Sequence, residues 1–279
     1  MAGPAIGGRT NGEGRGRGSA ARRSLRRLVP IELQAPAPGL ARRLVARTGY
    51  FRLRTWAAAH GDVVPDAGLY QPLYSPWLGD PDFERVYAVA HARTLVSRDR
   101  CYVLWSTLRQ ALALDGELVE CGVFRGGTAL LEATTVREQV GERPLHLVDS
   151  FAGMPRTTEG VDRFEEGDLA STSVESVREA LSPFPFARIH EGVIPAILDE
   201  VGAGRVAWAH IDVDIYAAVR DCLEYLYPRM AGGGTIVLDD YGFPSCSGAR
   251  RAVDEFFAAG RPEQPLCLPT GQCLIVKLP

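Results

Sequence analysis

Four aspartates follow two apolar segments, and their positions point to metal-assisted chemistry. Asp212 and Asp214 close one apolar run, and Asp239 and Asp240 close another. If these runs are neighbouring strands, four carboxylates meet in one crevice with no lysine or arginine between them. Such a group is costly to maintain unless a cation or bound protons neutralise it, although any single aspartate could instead cap a helix. A hard cation such as Mg²⁺ prefers oxygen ligands and is the neutraliser we favour.

A glycine-rich turn follows a third apolar run. Residues 120–128 begin as a strand and pass directly into a helical pattern. Gly122 and Gly126 remove side chains where the backbone must approach a ligand, and the helix N-terminus offers unpaired N–H groups to a carboxylate, such as that of a methionine moiety. The middle glycine of G-x-G-x-x-G is missing, which disfavours a nicotinamide dinucleotide. A glycine turn used only for helix packing stays an alternative.

A further carboxylate, Asp149, ends the predicted strand near residues 145–150. At the end of the second strand of an α/β unit, a carboxylate is well placed to accept hydrogen bonds from ribose hydroxyls. The alternative is that Asp149 caps the segment that follows it. Because Asp149 comes after the glycine-rich turn, we favour the ribose role.

The elements that position these groups alternate between strands and helices, which is typical of an α/β protein with a parallel sheet and helices on both faces. Strands are predicted near residues 117–123, 145–150, 186–191, 206–213 and 234–239. Helices are predicted near residues 81–95, 99–114, 126–140, 173–182, 193–201, 215–227 and 247–258. Two last apolar runs, 266–268 and 273–278, are joined by a Pro-Thr-Gly turn and predict a terminal β-hairpin.

One long connection stands out between the second and third predicted strands. Residues 156–172 are rich in acidic side chains, show no apolar periodicity and are long for a loop of an α/β protein. We predict a mobile lid there. Thr172 and Glu175 match a helix capping box, so the lid is expected to end at Thr172.

The first part of the chain differs in composition from the rest. Seven arginines and many glycines fall within residues 1–28, which predicts a disordered basic arm. Such an arm can attract nucleic acid or anionic lipid, but no aromatic residue stands between the arginines, so we favour a solvated leader without a partner. Residues 29–114 are predicted to form an N-terminal helical cap and residues 115–279 the catalytic domain. No secretory or membrane-spanning run is present, and the six cysteines form no C-x-x-C pair, so a cytoplasmic protein with reduced thiols is expected.

Taken together, the motifs resemble those of the macrocin O-methyltransferase family, which includes deoxysugar methyltransferases of macrolide and aminocoumarin antibiotic pathways. The resemblance covers roughly residues 95–279. It rests on residues 120–127, 149–155, 210–216, 227–228 and 239–241. The order of these motifs is specific, whereas each one alone would be weak. One departure is Val213, where the antibiotic sugar enzymes tend to carry a smaller residue.

The resemblance implies a class I S-adenosylmethionine-dependent methyltransferase fold, with a Rossmann-like, mostly parallel sheet and a C-terminal antiparallel hairpin. It implies an Mg²⁺ ion held by Asp212, Asp239 and Asp240, with Asp214 as the general base. It also implies methionine contacts from the glycine-rich turn and ribose contacts from Asp149. The implied cofactor-binding residues are Glu120, Cys121, Gly122, Val123, Phe124, Gly126, Asp149, Ser150, Phe151, Gly153 and Asp212.

The expected function is therefore O-methylation of a hydroxyl group of a small molecule, and the acceptor that we favour is a sugar hydroxyl of a natural product. Three alternatives stay open: metal-dependent methylation of a catechol, another phenol or another polyhydroxylated metabolite, a nucleotide-binding oxidoreductase, and an RNA- or lipid-binding adaptor that uses the basic arm. We expect a glycosylated or sugar-containing acceptor, no nucleic-acid or membrane partner, and a homo-oligomer.

Elementary chemistry agrees with this assignment. Methyl transfer from a sulfonium needs a nucleophilic oxygen in line with the methyl group and a base that removes its proton. An aliphatic hydroxyl is a very weak acid, so a metal bound to that oxygen would stabilise the developing alkoxide while Asp214 accepts the proton. His210 is a second candidate for the base, but a histidine inside an apolar strand is more often a core or supporting residue, which is our interpretation.

Overall fold

The computed structural model describes residues 75–279. The predicted arm, residues 1–28, and the first part of the predicted cap lie outside this range. Within residues 75–279 there are seven α-helices: α1 Pro81–Ala90, α2 Arg98–Ala111, α3 Gly127–Val140, α4 Val174–Leu181, α5 Leu198–Val201, α6 Tyr216–Leu226 and α7 Ser247–Ala258. The strands are β1 Glu117–Cys121, β2 Leu145–Asp149, β3 Ala187–Glu191, β4 Val206–Ile211, β5 Met230–Leu238, β6 Leu266–Cys267 and β7 Cys273–Val276.

The strands form one sheet in the order β3-β2-β1-β4-β5-β7-β6. Strands β1 to β5 are parallel to one another, and β7 pairs antiparallel with both β5 and β6. This confirms the predicted mostly parallel α/β sheet with a C-terminal antiparallel hairpin. The chain runs outward in opposite directions from β1 and β4, and ligands of such sheets bind at the carboxyl ends of the strands at this switch point.

Alternate residues along the central strands face opposite sides of the sheet. Leu118 and Trp208 belong to the apolar cluster shared with α1, α2 and α3, whereas Val119 and Ala209 belong to the cluster shared with α6 and α7. Both faces of the sheet are therefore covered, which explains the nearly continuous apolar runs of the strands. Within the first cluster, the ring centroid of Phe83 in α1 lies 5.6 Å from that of Trp105 in α2.

Three element boundaries differ by four residues or more from the sequence predictions. The helix predicted near 193–201 is only the short α5, and residues 194–197 before it form turns; Pro195 disfavours helical backbone in the residue before it. Strand β5 begins at Met230, which pairs with Val206, and not at residue 234. Helix α1 ends at Ala90 and not near residue 95. The residues that follow it contact the start of α3, where Gly127 packs against the backbone of Thr94.

Among residues 75–279, no helix is long and apolar enough to cross a membrane.

Candidate active site

A cavity opens at the carboxyl ends of β1, β2 and β4, where the direction of the chain reverses. Its wall includes the glycine-rich turn, the residues that follow β2 and β4, part of the predicted lid and the segment that precedes α2. Six of the predicted cofactor-binding residues line it: Gly122, Phe124, Asp149, Ser150, Gly153 and Asp212. Residues from three of the sequence motifs therefore come together at this edge of the sheet.

The other predicted cofactor-binding residues are not part of the cavity wall. Cys121, Val123 and Phe151 have buried side chains in the two apolar clusters, and Gly126 faces Val177 of α4. Glu120 is fully buried, and its carboxylate lies 3.1 Å from Nδ1 of His210 in the core. A direct contact from the Glu120 side chain to a ligand is therefore corrected: side chains alternate along β1, and this one points into the protein.

Gly122 allows the ends of β1 and β4 to meet. Its φ is +91°, and an added Cβ atom would overlap the carbonyl oxygen of Asp212. The backbone N–H of Asp212 donates to the carbonyl of Cys121 at 2.8 Å. Only glycine combines this conformation with so close an approach. The contact places Asp212, a predicted metal ligand, directly beside the glycine-rich turn.

Asp149 holds the same turn in place from the end of β2. Its Oδ2 accepts hydrogen bonds from the backbone N–H groups of Val123 and Phe124, at 2.7 and 2.8 Å. Its Oδ1 accepts one from the N–H of Phe151, at 2.7 Å. The two carboxylate oxygens offer about four acceptor positions, and three of these accept the hydrogen bonds just described. One position is therefore left for a hydroxyl group of a ligand. The ribose role stays a prediction, and the structure adds a second role, that of ordering the turn.

The four predicted aspartates converge on one side of the cavity. Carboxylate oxygens of Asp212, Asp239 and Asp240 lie within 4.8 Å of one another. Asp214 lies beside them: its backbone N–H donates to Oδ2 of Asp240 at 3.0 Å, and the thiol of Cys246 donates to its Oδ1 at 3.4 Å. This convergence is the geometry expected from the positions of the aspartates after β4 and β5.

The charges of this cluster are only partly compensated. Burial raises the pKa values of Asp212 and Asp240, and neighbouring carboxylates raise them further. Burial and the charge of Asp212 raise the pKa of Asp214 to about 7. Burial acts in the same sense on Asp239, but Arg100 and His210 outweigh it and lower its pKa. An all-oxygen group with excess negative charge fits a hard divalent cation.

Sequence reasoning missed two residues that bind Asp239. Arg100 of α2 forms an ion pair with Oδ2, and the amide of Gln272 donates to Oδ1 at 2.8 Å. The expectation that no arginine lies among the carboxylates is therefore wrong, because a residue distant in sequence enters the cluster. The helical spacing could have indicated the position of Arg100, because Arg100 shares a helix face with Leu104 and Leu108, and this face packs against the sheet.

Behind Asp239, a polar group is enclosed in the core. His210, Glu120 and Glu132 are all fully buried. Nδ1 of His210 lies 3.6 Å from Glu132, and its Nε2 lies 3.7 Å from Oδ1 of Asp239. Burial and the charge of Glu120 raise the pKa of Glu132 to about 8. His210 is thus a buried neighbour of the site and does not line the cavity, in agreement with its interpretation as a supporting residue.

The predicted lid contains no helix or strand, and Leu169 and Thr172 within it line the cavity. Asp162 accepts a hydrogen bond from the N–H of Tyr216 at 2.8 Å, which connects the lid to the start of α6. The predicted capping box is wrong by one position: Ser173 caps α4, because the hydroxyl of Thr172 donates to the carbonyl of Phe124 instead. The mobility of the lid stays a prediction.

Comparisons with known proteins agree on one class. The profile of the family described as Macrocin-O-methyltransferase (TylF) matches residues 87–269, more than half of the chain. The chain is 31% identical over 183 residues to the 8-demethyl-8-(2,3-dimethoxy-alpha-L-rhamnosyl)-tetracenomycin-C 4′-O-methyltransferase of Streptomyces olivaceus, covering 61% of this chain and 68% of that protein. It is 28% identical over 181 residues to the mycinamicin III 3″-O-methyltransferase of Micromonospora griseorubida, covering 59% of this chain and 70% of that protein.

A solved structure supports the same class. The O-methyltransferase NovP superposes with a TM-score of 0.60 at 25% identity, over 67% of this chain and 83% of that chain. The fold is that of the class I methyltransferases, and the protein is an O-methyltransferase. The chain belongs to the macrocin O-methyltransferase family. The oxidoreductase and adaptor alternatives are thereby set aside.

Proposed function

We propose that this enzyme transfers the methyl group of S-adenosylmethionine to a sugar hydroxyl of a natural product, with assistance from Mg²⁺. The observation that carries this proposal is the convergence of Asp212, Asp239, Asp240 and Asp214 beside the glycine-rich turn. The relatives support the acceptor class, because the names of two of them specify methylation of a rhamnosyl tetracenomycin and of mycinamicin III.

The part of the cavity near β1 and β2 would bind the methyl donor. Gly122 keeps this part free of a side chain, and Asp149 fixes the N–H groups of Val123 and Phe124. The remaining acceptor capacity of Asp149 suits the ribose hydroxyls of the donor. Phe124 has a φ of +52°, an uncommon conformation for a residue other than glycine, and strained conformations of this kind cluster at functional sites.

Asp212, Asp239 and Asp240 would hold the metal ion. Their oxygens are close together. Asp239 also forms an ion pair with Arg100, whose single positive charge compensates only part of the negative charge of the three carboxylates. When bound there, Mg²⁺ supplies Lewis-acid stabilisation of negative charge that develops on the acceptor oxygen. Asp212 is the ligand nearest to the glycine-rich turn, so the metal and donor parts of the cavity share a boundary at this residue.

Asp214 would act as the general base. It lines the cavity, its pKa is raised to about 7, and a base with a pKa near the working pH is the most effective. Its φ is +58°, and the N–H that it donates to Asp240 holds this backbone conformation. The thiol of Cys246 orients Oδ1, and the proton of the acceptor hydroxyl would pass to the carboxylate.

Acceptor profiling tests this proposal. The purified full-length enzyme would be incubated with S-adenosylmethionine carrying a labelled methyl group and with matched sets of deoxyglycosylated polyketides and simple catechols. We expect label in the glycosylated compounds, on a sugar oxygen by mass spectrometry and NMR. Transfer confined to catechols would replace the sugar acceptor by a phenol, and S-adenosylhomocysteine that fails to bind in calorimetry would overturn the assignment of the donor.

A further inference from the structure

Arg100 is a cation enclosed among the carboxylates of the site. Its side chain is 14% exposed, and it forms an ion pair with the fully buried Asp239. An arginine guanidinium is not deprotonated in proteins, and the charges of Asp239, Asp212 and Asp240 all act on this one. The guanidinium therefore stays charged and interacts with all three of the proposed metal ligands.

The guanidinium is also fixed in its place by groups outside the carboxylate cluster. Its Nε donates to Oγ of Ser97 and its Nη2 to the carbonyl of Leu95, both at 3.1 Å. Its central carbon lies 4.9 Å from the ring centroid of Phe243, within the range of a cation–π contact. A guanidinium held on several sides in this way is pre-organised, and it does not move away freely when another cation enters.

Asp239 has a donor on each of its oxygens: Arg100 on Oδ2 and Gln272 on Oδ1. A divalent ion must therefore share Asp239 with Arg100, and it must enter against a fixed positive charge. Like charges in a partly buried site repel one another strongly, because little water screens them.

We propose that Arg100 is a built-in counter-cation that stabilises the carboxylate cluster in the metal-free protein and limits how tightly the cluster holds a divalent ion. This inference rests on the proposed function, since it takes Asp212, Asp239 and Asp240 as the metal ligands. Arg100 is a positioning residue, because it would act on the metal ion through its ion pair with Asp239 and through its own positive charge.

Direct metal titration tests the inference without turnover. Mn²⁺ would serve as the probe, because it takes the same oxygen ligands and the paramagnetic resonance signal of the free ion is lost on binding. The full chain would be compared with Arg100→Met, with Arg100→Gln, which keeps a hydrogen-bond donor for Asp239, and with Arg98→Met. Arg98→Met is the matched control, because Arg98 lies in the same helix and pairs with Glu84, and its substitution changes the net charge of the protein by the same amount.

Both neutral variants of Arg100 are expected to bind Mn²⁺ roughly tenfold more tightly than the unaltered protein, since a nearby positive charge is removed. The Arg98 variant should bind it with unchanged affinity. The Arg100 variants should also unfold at a lower temperature in EDTA and gain more stability from Mn²⁺ than the unaltered protein. Arg100→Gln provides the answer if Arg100→Met does not fold.

Equal or weaker Mn²⁺ binding by a folded Arg100 variant would overturn the inference, because Arg100 would then support metal binding or have no effect on it. If neither the unaltered protein nor the variants bind Mn²⁺, the proposed metal site itself is wrong, and the inference is lost together with it. Binding by the unaltered protein separates the two outcomes.

Discussion

The backbone N–H of Asp214 donates to Oδ2 of Asp240 at 3.0 Å, so the proposed base and a proposed metal ligand are joined directly. The first residue follows β4 and the second follows β5, and these strands are neighbours in the sheet. The hydrogen bond fixes the position of the base relative to the carboxylate cluster. Proton removal and stabilisation of negative charge would therefore act on the same acceptor oxygen.

Asp214→Asn tests the role of the base. The variant should bind S-adenosylhomocysteine with unchanged affinity, and its kcat should fall by roughly 10²- to 10⁴-fold, which is the usual contribution of a general base. Calorimetry and steady-state rates measure the two quantities. Asp199→Asn is the matched control, because Asp199 is exposed and lies in α5. A kcat close to that of the unaltered enzyme would show that another group removes the proton.

Asp149→Ala tests the donor site. The change removes the acceptor for three backbone N–H groups and the proposed partner of the ribose hydroxyls. Binding of S-adenosylhomocysteine should weaken by about 1–3 kcal/mol, the usual cost of polar groups left without partners. Isothermal calorimetry gives the value. Unchanged affinity would remove Asp149 from the donor site.

Gly122→Ala tests the close approach of β1 and β4. The new Cβ would overlap the carbonyl oxygen of Asp212, so we expect a large loss of stability together with weaker donor binding. Gly202→Ala is the control, because Gly202 also has a positive φ, +61°, but an added Cβ there would meet only the carbonyl oxygen of Glu200, at an ordinary contact distance of 3.9 Å. The control should lose only about 1–2 kcal/mol of unfolding free energy, the cost of a left-handed residue. Equal losses in urea denaturation would show that steric overlap at Gly122 is unimportant.

Glu132→Gln tests the buried group behind Asp239. The pKa of Glu132 is about 8 in the folded protein and near 4.5 in the unfolded chain, so folding takes up a proton at neutral pH. The stability that this proton provides is present below about pH 4.5 and is lost as the pH rises through about 8. The unfolding free energy of the glutamine variant should therefore fall less between about pH 6 and about pH 9 than that of the unaltered protein.

Glu138→Gln is the control for this comparison, since Glu138 lies in the same helix and pairs with Arg85 at the surface. Its urea denaturation should follow the unaltered protein at both pH values. If the Glu132 variant also follows the unaltered protein, Glu132 is ionised in the folded state.

The sequence predicted the sheet and the convergence of the candidate residues at one edge of it, because both depend on local patterns. Apolar runs that end in a charged residue or a glycine mark the strands, and Asp149, Asp212 and Asp239 mark their carboxyl ends. Contacts between distant segments left no such pattern. Gln272 reaches Asp239 from the turn of the hairpin, and nothing near Gln272 in the sequence indicates this contact.

Local patterns also misled in two places, each for a physical reason. The capping box at Thr172 fits the spacing rule, but its hydroxyl finds a partner in the carbonyl of Phe124, so Ser173 caps the helix. Glu120 belongs to the motif of the glycine-rich turn, but strand alternation directs its side chain to His210. A tertiary hydrogen bond sets the direction of the Thr172 side chain, whereas strand alternation sets that of Glu120.

In the proposed function, methyl transfer to a sugar hydroxyl requires a divalent metal held by Asp212, Asp239 and Asp240. The most direct test is the initial rate of transfer from labelled S-adenosylmethionine to a deoxyglycosylated acceptor, measured in EDTA and after the addition of excess Mg²⁺. We expect EDTA to abolish transfer and Mg²⁺ to restore it, and we expect Asp240→Asn to require more Mg²⁺ for the same rate. Full activity in EDTA would show that methyl transfer needs no divalent metal.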